Sequence, residues 1–316
     1  MRRWIWVAIV VVIAAAAYVM VGDISKVADR LSTFHWGAFV AALALALGNY
    51  MIRFVRWSLY LRWQGVSAPP GDSAVVFGAG LSLSITPGKL GELVKSYLLK
   101  EMHGVPAPLT APIVVAERVS DLVALLALAI IGVALYGVQR SVVIGAGVAI
   151  GAGLVLLAWP RPTRAIIDLV TRPGFSRKFR VPLHETYNGL VALCRPLRLL
   201  SATAIAVPAW GLECIGFALI TNAFPGVHVA WGLAMMIYAA TTIAGALSFL
   251  PGGLGVTEAG MTMLLVNSAE HIDKATALDA TLLTRLATLW FAVLLGLVLL
   301  AIARGRIARR SRAPQA

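Results

Sequence analysis

The chain is poor in charged residues. Only 13% of its 316 residues are Asp, Glu, Lys or Arg, whereas 59% are hydrophobic. A soluble domain averages roughly 25% charged residues. So much apolar surface cannot be hidden in one soluble core, because extensive apolar exposure requires a lipid solvent. The composition therefore predicts an integral membrane protein.

Cysteine and the familiar catalytic motifs are also scarce or missing. Cys194 and Cys214 show no CxxC or Cys/His spacing, which excludes a disulfide framework and a zinc site. Residues 184–188 read HETYN and lack the second histidine of HExxH, and the sequence contains no GxSxG, Walker A or GxGxxG. We therefore expect no enzymatic activity, no metal and no cofactor.

Acidic residues are outnumbered, with 27 Lys and Arg against 14 Asp and Glu, a formal charge of +13. The basic residues form short clusters between apolar runs, without the aromatic residues of a nucleic-acid platform. Clusters of this kind are typical of cytoplasmic loops, where Lys and Arg are retained. No nucleic-acid partner is expected.

Six apolar runs approach the length of about 20 residues that a helix needs to cross the hydrocarbon core. They are 4–21, 36–56, 111–136, 142–159, 201–222 and 281–303. The first run follows Arg2 and Arg3 and could be a cleaved signal peptide. Its length, and the lack of a polar region before a cleavage site, favour an uncleaved anchor.

Two further apolar segments, a first hairpin at 73–104 and a second hairpin at 231–267, are interrupted by Pro-Gly-x-Leu-Gly. The loop 161–198 and the tail 304–316 are strongly basic and should be cytoplasmic, as should the end of the second span with Arg53, Arg56 and Arg62. In contrast, 223–230 has no Lys or Arg and 268–280 is net acidic, so both should be external. If either hairpin crossed the membrane, a basic cluster would be stranded outside. We therefore predict two re-entrant hairpins that enter from opposite faces, with both chain termini in the cytoplasm.

The two interruptions are copies of one motif. The first break, 83–91, reads LSITPGKLG, and the second break, 247–255, reads LSFLPGGLG; six of nine positions are identical at an offset of 164 residues. The chain then divides into a first membrane repeat, 1–136, and a second, inverted repeat, 142–303. The predicted fold is an all-α membrane protein with six transmembrane helices and two re-entrant helical hairpins in an inverted-topology repeat, the architecture of many transporters.

The breaks predict a binding site. Proline ends the incoming helix and glycine permits unusual backbone angles. The outgoing half-helix then directs its unpaired N–H groups towards the middle of the membrane, where they could bind an anion. The candidate substrate-binding residues are Pro87, Gly88, Lys89, Gly91, Glu92, Glu117, Arg118, Asp121, Glu213, Pro251, Gly252, Gly253, Gly255, Glu258 and Arg285.

Structural roles compete with binding at several of these positions. Glu92 and Glu258 could cap the half-helices, and the cluster of Glu117, Arg118 and Asp121 could lie at the interface. We expect Glu117 or Asp121 to pair with Arg118, and Glu258 to pair with Arg285. Glu213 and its repeat counterpart Asn49 could line the cavity or join helices. Lys89 has a neutral counterpart, Gly253, which suggests that the two hairpins have different tasks and that Lys89 contacts a phosphate.

Four motifs give the chain a family resemblance. They are PGKLGELVKSYLL (87–99), ERVSDL (117–122), SFLPGGLGVTE (248–258) and TLLTRLATLW (281–290). Through these motifs, the chain from about residue 5 to residue 303 resembles the lysylphosphatidylglycerol synthase transmembrane region, also called the flippase-like domain family. The resemblance implies lipid translocation. The soluble aminoacyl-transfer domain of bifunctional members has no counterpart here, so aminoacyl transfer is not expected.

We expect a flippase or scramblase-like transporter of an anionic or polyprenyl-linked lipid in a bacterial-type inner membrane, driven passively or by an ion. One alternative is a channel or secondary transporter for a small anion. Another is a non-catalytic partner that recruits a lipid-modifying enzyme through the loop 161–198. The expected partners are a membrane lipid and either a second copy of the chain or a lipid-synthesis enzyme.

Overall fold

The computed structural model describes residues 24–136, 140–172, 179–269 and 272–310, and the elements in these ranges are helices. In chain order they are α1 (Ile24–Ser32), α2 (Trp36–Trp63), α3 (Pro70–Leu81), α4 (Val94–His103), α5 (Ala107–Tyr136), α6 (Arg140–Ala158), α7 (Pro160–Val170), α8 (Arg180–Leu193), α9 (Pro196–Thr221), α10 (Trp231–Leu247), α11 (Val256–Ser268) and α12 (Lys274–Arg310). The chain is thus an all-α membrane protein.

Among the described residues, four helices are long and apolar enough to cross a membrane: α2, α5, α9 and α12. They contain or closely match the predicted spans 36–56, 111–136, 201–222 and 281–303. The predicted span 142–159 coincides with α6. The first predicted span, 4–21, lies outside the described residues.

Both interrupted segments form helical hairpins. In the first, α3 and α4 pack on each other around a short 3-10 stretch, Pro87–Leu93. In the second, α10 and α11 pack around a 3-10 turn, Pro251–Gly253. The sequence motif therefore marks a real backbone break in each copy.

Each hairpin packs against a long helix of the other predicted repeat. The first hairpin packs its helix α3 on α12, and the second packs its helix α10 on α5, while α2 and α9 pack on each other. Small residues allow these close approaches: Gly296 lies against the backbone of Ser82, and Gly132 against the carbonyl oxygen of Gly232. Gly132 and Gly296 are themselves related by the offset of 164 residues.

The basic segment 161–198 contains two helices, α7 and α8, rather than an irregular loop. Asp168 on α7 accepts hydrogen bonds at 2.9 Å from Arg180 Nε and from His184 Nε2, both on α8. The bond from His184, followed by that from Arg180, lowers the pKa of Asp168. His184, predicted to lie in a surface loop, therefore joins two helices instead.

Candidate functional site between the two breaks

The two breaks meet face to face at the centre of the molecule. Gly88 and Gly252 both adopt left-handed backbone angles, with φ of 58° and 61°. A Cβ atom on Gly88 would lie 3.4 Å from the ring of Phe249, and a Cβ atom on Gly252 would lie 3.2 Å from Ile85. Ile85 and Phe249 are also related by the offset of 164 residues, so the contact between the breaks is internally symmetric.

Two residues at the breaks are held in a backbone conformation that favours glycine. Lys89 and Phe249 have φ of 55° and 54°, and they are the only non-glycine residues with positive φ in the part of the chain that the structure describes. The left-handed region costs an L-residue about 1–2 kcal/mol. The repeat counterpart of Lys89 is Gly253, which occupies the same region at φ 67°. Such strain is typically found where a side chain has a function.

A cavity of about 360 Å³ lies between the breaks and helices α2, α5, α9, α10 and α12. Eight of the predicted site residues line it: Gly88, Lys89, Arg118, Asp121, Glu213, Gly252, Gly253 and Arg285. The other seven do not line it: Pro87, Gly91, Glu92, Glu117, Pro251, Gly255 and Glu258. The structure therefore brings together predicted residues from both halves of the chain.

The lysine at the first break points to an aromatic ring rather than to an acid. Lys89 Nζ lies 5.5 Å from the centroid of the Trp210 ring. None of the described carboxylates lies within 4.0 Å of this amine. Lys89 therefore presents a cation to the cavity without a carboxylate partner.

Each repeat carries an Arg–Glu pair whose arginine lines the cavity. Arg285 Nε donates to Glu258 at 2.6 Å, and its Nη2 donates to the carbonyl oxygen of Gly252 at 2.7 Å. In the first repeat, Arg118 Nη2 lies 3.5 Å from Glu92 and 3.1 Å from Asp121. The expected pairs of Arg285 with Glu258 and of Arg118 with Asp121 are thus present, and each arginine fixes the hairpin beside it.

Of the two acids that could pair with Arg118, Glu117 is not the partner. Its carboxylate binds Lys95 Nζ at 2.5 Å, and Lys95 also lies 3.1 Å from Glu92. All three side chains are buried. Sequence reasoning missed Lys95, although its spacing of three residues from Glu92 places both on one face of the helix.

Two arginines assigned from sequence to the cytoplasmic end of the second span lie inside the protein. Arg56 is 0% exposed and binds Asp121 at 2.7 Å, while Arg53 is 4% exposed, lines the cavity and lies 4.0 Å from Glu92. Carboxylates on α5 and at the first break provide counter-charges, so these side chains turn inwards. The sequence feature that bears on their position is their spacing of three residues, which places both side chains on one face of α2.

Two amide groups at the breaks, those of Gly91 and Gly255, donate to side chains of the protein itself. Gly91 N donates to Thr86 Oγ1 at 2.7 Å, and Gly255 N donates to Glu258 at 2.7 Å. Glu258 thus caps α11 as well as binding Arg285. The positive charge that faces the cavity comes from Lys and Arg side chains rather than from these amides.

The structure separates the roles of Asn49 and Glu213. Asn49 is fully buried, does not line the cavity and donates to the carbonyl oxygen of Ala209 at 2.8 Å, so it joins α2 to α9. Glu213 lines the cavity and accepts a hydrogen bond from the Tyr238 hydroxyl at 2.5 Å. Tyr238 and Trp210 were not among the predicted site residues, because aromatic residues are common in membrane helices.

Residues 5–296 match the family model of the lysylphosphatidylglycerol synthase TM region. The chain belongs to this family. Both hairpins, α2, α5, α9 and Arg285 fall within the matched residues, so the whole candidate site is part of the family region.

Two curated relatives of this family member come from Methanothermobacter thermautotrophicus, and each carries the name UPF0104 membrane protein. One is 23% identical over 310 residues, which cover 90% of this chain and 91% of the relative. The other is 22% identical over 331 residues, covering 97% of this chain and 95% of the relative. The similarity thus extends along nearly the full length of all three proteins.

Proposed function

We propose that this protein moves an anionic lipid between the leaflets of a bacterial-type inner membrane. The lipid headgroup passes through the cavity between the breaks while the acyl chains stay in the bilayer. The observation that carries the proposal is Lys89, which is held in a strained conformation at the cavity wall without a carboxylate partner. A desolvated, charge-assisted contact from such an amine suits a phosphate headgroup.

The charge of the cavity wall supports an anionic substrate. Four cationic side chains line the cavity against two carboxyl groups, Asp121 and Glu213. The cations are Arg53, Lys89, Arg118 and Arg285. Inside a membrane, such charges are retained where they form pairs or line a substrate pathway.

Apolar residues in the same wall favour a lipid over a small inorganic anion. Leu90 and Phe249 line the cavity and are 61% and 69% exposed at the molecular surface, and Leu250 beside them is also exposed. A cavity that combines charged side chains with a largely apolar wall, and that is bordered by exposed apolar side chains, offers a headgroup and its acyl chains suitable surroundings at the same time. An anion channel would need no such border.

The topology of the predicted inverted repeat forms part of this proposal. Both hairpins are re-entrant and enter from opposite faces, so their breaks meet near the midplane of the membrane. Irregular backbone at that depth is tolerated only where it lines a cavity or contacts protein, and these breaks do both. The chain termini lie in the cytoplasm. The protein acts as a transporter rather than as an enzyme.

Reconstitution in liposomes tests the proposal. Purified protein is placed in vesicles that contain a fluorescent lipid, and the leaflet of that lipid is read out with a membrane-impermeant quencher. Fluorescent phosphatidylglycerol should exchange leaflets faster than fluorescent phosphatidylcholine, and vesicles with protein faster than vesicles without. Chloride and phosphate flux measured in the same vesicles should stay at the protein-free level; flux of these ions without lipid exchange would support the anion-channel alternative instead.

A further inference from the structure

Glu213 differs from the other acids at the centre of the molecule because it has no cationic partner. Its side chain is 6% exposed, lines the cavity and accepts a hydrogen bond from Tyr238. None of the described Lys, Arg or His nitrogens lies within 4.0 Å of its carboxyl oxygens. Every other central acid has such a partner: Glu92 and Glu117 bind Lys95, Asp121 binds Arg56, and Glu258 binds Arg285.

We infer that Glu213 is a proton-binding site that couples the movement of the lipid anion to the movement of a proton. The inference rests on the proposed function and adds its energy source. The carboxylate takes up one proton from the aqueous phase to become a neutral carboxylic acid, and no bond to the lipid is made or broken.

The physical reason is that the cavity is too small to separate two negative charges. A phosphate held by Lys89 would share about 360 Å³ with Glu213. Like charges this close in a poorly hydrated site disfavour each other strongly, and protonation of the carboxyl removes the repulsion. Binding of the lipid anion and protonation of Glu213 therefore favour each other, and this coupling is reciprocal.

Of the two carboxyl groups that line the cavity, Glu213 is the one without a cationic partner among the described residues, so it is the acid that we expect to change its charge. The side chains that share the cavity with it are Tyr50 and Arg53 from α2, Lys89 from the first break, Arg118 and Asp121 from α5, Tyr238 from α10 and Arg285 from α12. Tyr50 donates its hydroxyl hydrogen to the carbonyl oxygen of Thr288 at 2.8 Å, and Asp121 is held by Arg56 and Arg118. Tyr238 hydrogen-bonds to Glu213 itself.

Coupling gives the transporter a direction. On the side of the membrane with the lower pH, a proton and a lipid anion bind in the cavity together. On the side with the higher pH, both dissociate. For one linked proton, the affinity for the anion rises by up to about tenfold for each unit of decrease in pH. Without a pH difference, the same cycle equilibrates the lipid between the leaflets.

Calorimetry on the purified full chain tests this inference. Short-chain phosphatidylglycerol is titrated into protein in two buffers of different ionisation enthalpy, so that protons taken up on binding are counted directly. We expect about one proton per bound lipid for the native protein and none for Glu213→Gln, as one linked carboxyl requires. The matched control is Asp279→Asn, which removes a buried acid that binds Arg30 at 2.6 Å and does not line the cavity. It should keep the proton uptake of the native protein.

A second measurement does not depend on the folding of the Glu213→Gln variant. The infrared difference spectrum of the native protein should gain a carbonyl band that shifts in D₂O when the short-chain lipid binds, as the band of a protonated carboxylic acid does and the ester bands of the lipid do not, and Glu213→Asp should shift that band. Lipid binding without proton uptake or without this band would overturn the coupling and leave the proposed function intact. A native protein that binds and moves none of the tested lipids would refute the proposed function and the coupling together.

Discussion

Lys89 Nζ lies over the indole ring of Trp210, 5.5 Å from its centroid. The lysine belongs to the first break and the tryptophan to α9, so the contact joins the two halves of the chain. The backbone of Lys89 is left-handed, and its counterpart in the other repeat is Gly253. The fold thus keeps a lysine where glycine would adopt the same backbone angles with less strain.

This relationship predicts that substitutions of Lys89 affect the stability of the protein and its lipid binding differently. Lys89→Gly and Lys89→Ala both remove the amine, and both should weaken binding of phosphatidylglycerol by roughly 10- to 100-fold, since a charge-assisted contact contributes about 1.5–3 kcal/mol. Lys89→Gly should be about 1 kcal/mol more stable than Lys89→Ala, because alanine keeps the left-handed strain. Unfolding in denaturant and lipid binding on the same samples measure both quantities. Native affinity in either variant would remove Lys89 from the site.

Arg285 should be difficult to replace, even by lysine. Its guanidinium binds Glu258 and the carbonyl oxygen of Gly252 through two different nitrogens. A lysine cannot reproduce this fork, and Arg285→Gln leaves a mostly buried carboxylate unpaired at a cost of about 3 kcal/mol. We expect Arg285→Lys and Arg285→Gln to lower lipid exchange per folded molecule, and Arg118→Gln to do the same in the other repeat.

The matched control for these arginines is Arg30→Gln, which breaks the pair with Asp279 away from the cavity. It should lower stability and leave lipid exchange per folded molecule unchanged. Normal exchange by both Arg118→Gln and Arg285→Gln at equal reconstitution would show that the two arginines have no part in transport.

Much of the fold could be predicted because the membrane limits the choices. Length and hydropathy located α2, α5, α9 and α12, and the repeated Pro-Gly-x-Leu-Gly located both breaks, since proline and glycine act on the local backbone. The exchange of α3 and α10 between the repeats could not be predicted. It depends on close contacts of Gly132 and Gly296 with distant backbone, which leave no local pattern in the sequence.

The site was predicted in outline but only partly in its pairing, because the pairs of Lys95 with Glu117 and of Arg56 with Asp121 were missed. Charged residues in apolar surroundings identified Arg118, Asp121, Glu213 and Arg285 as candidates, and all four line the cavity. The inward direction of Arg53 was not predicted, because a basic residue near the end of an apolar run normally reaches the membrane surface, and its spacing from Arg56 shows only that the two share a helix face. Only the three-dimensional position of the carboxylates decides between the two directions.

Two glycines with closely similar backbone angles separate backbone strain from steric contact. Gly252 at the second break and Gly104 at the end of α4 have φ of 61° and 69°, both with ψ of 10°. A Cβ atom on Gly252 would press on Ile85 and Leu289, whereas one on Gly104 would meet nothing within 4 Å. Gly104→Ala should cost about 1–2 kcal/mol of stability from the backbone alone. Gly252→Ala should cost about 1–3 kcal/mol more, because it also overpacks the contact between the breaks. Equal loss of stability in denaturant unfolding would contradict this contact.

The proposed topology predicts which loops each side of the membrane can reach. Single cysteines at the exposed positions Ser67 and Glu101 flank the first hairpin and should both react from the cytoplasm. Cysteines at the exposed positions His228 and Lys274 flank the second hairpin and should both react from outside. Impermeant maleimide labelling of intact cells and of inverted vesicles gives the readout.

The background for this labelling must lack the two native cysteines, and neither of them forms a disulfide. Serine at Cys194 and alanine at the buried Cys214 suit their surroundings. His271, in the segment 268–280 that is predicted to be external, lies outside the described residues. Labelling of Ser67 and Glu101 from opposite sides would mean that the first hairpin crosses the membrane, and the inverted repeat would be wrong.

The most direct measurement compares native protein with Lys89→Gly in liposomes of equal protein content, using the leaflet exchange of fluorescent phosphatidylglycerol. The variant keeps a backbone that suits glycine and loses the amine, so misfolding cannot account for its behaviour. We predict rapid exchange with the native protein and an exchange rate at least about tenfold lower with Lys89→Gly. Exchange no faster than in protein-free vesicles, or equal rates for the two proteins, would contradict the role of the cavity in lipid movement.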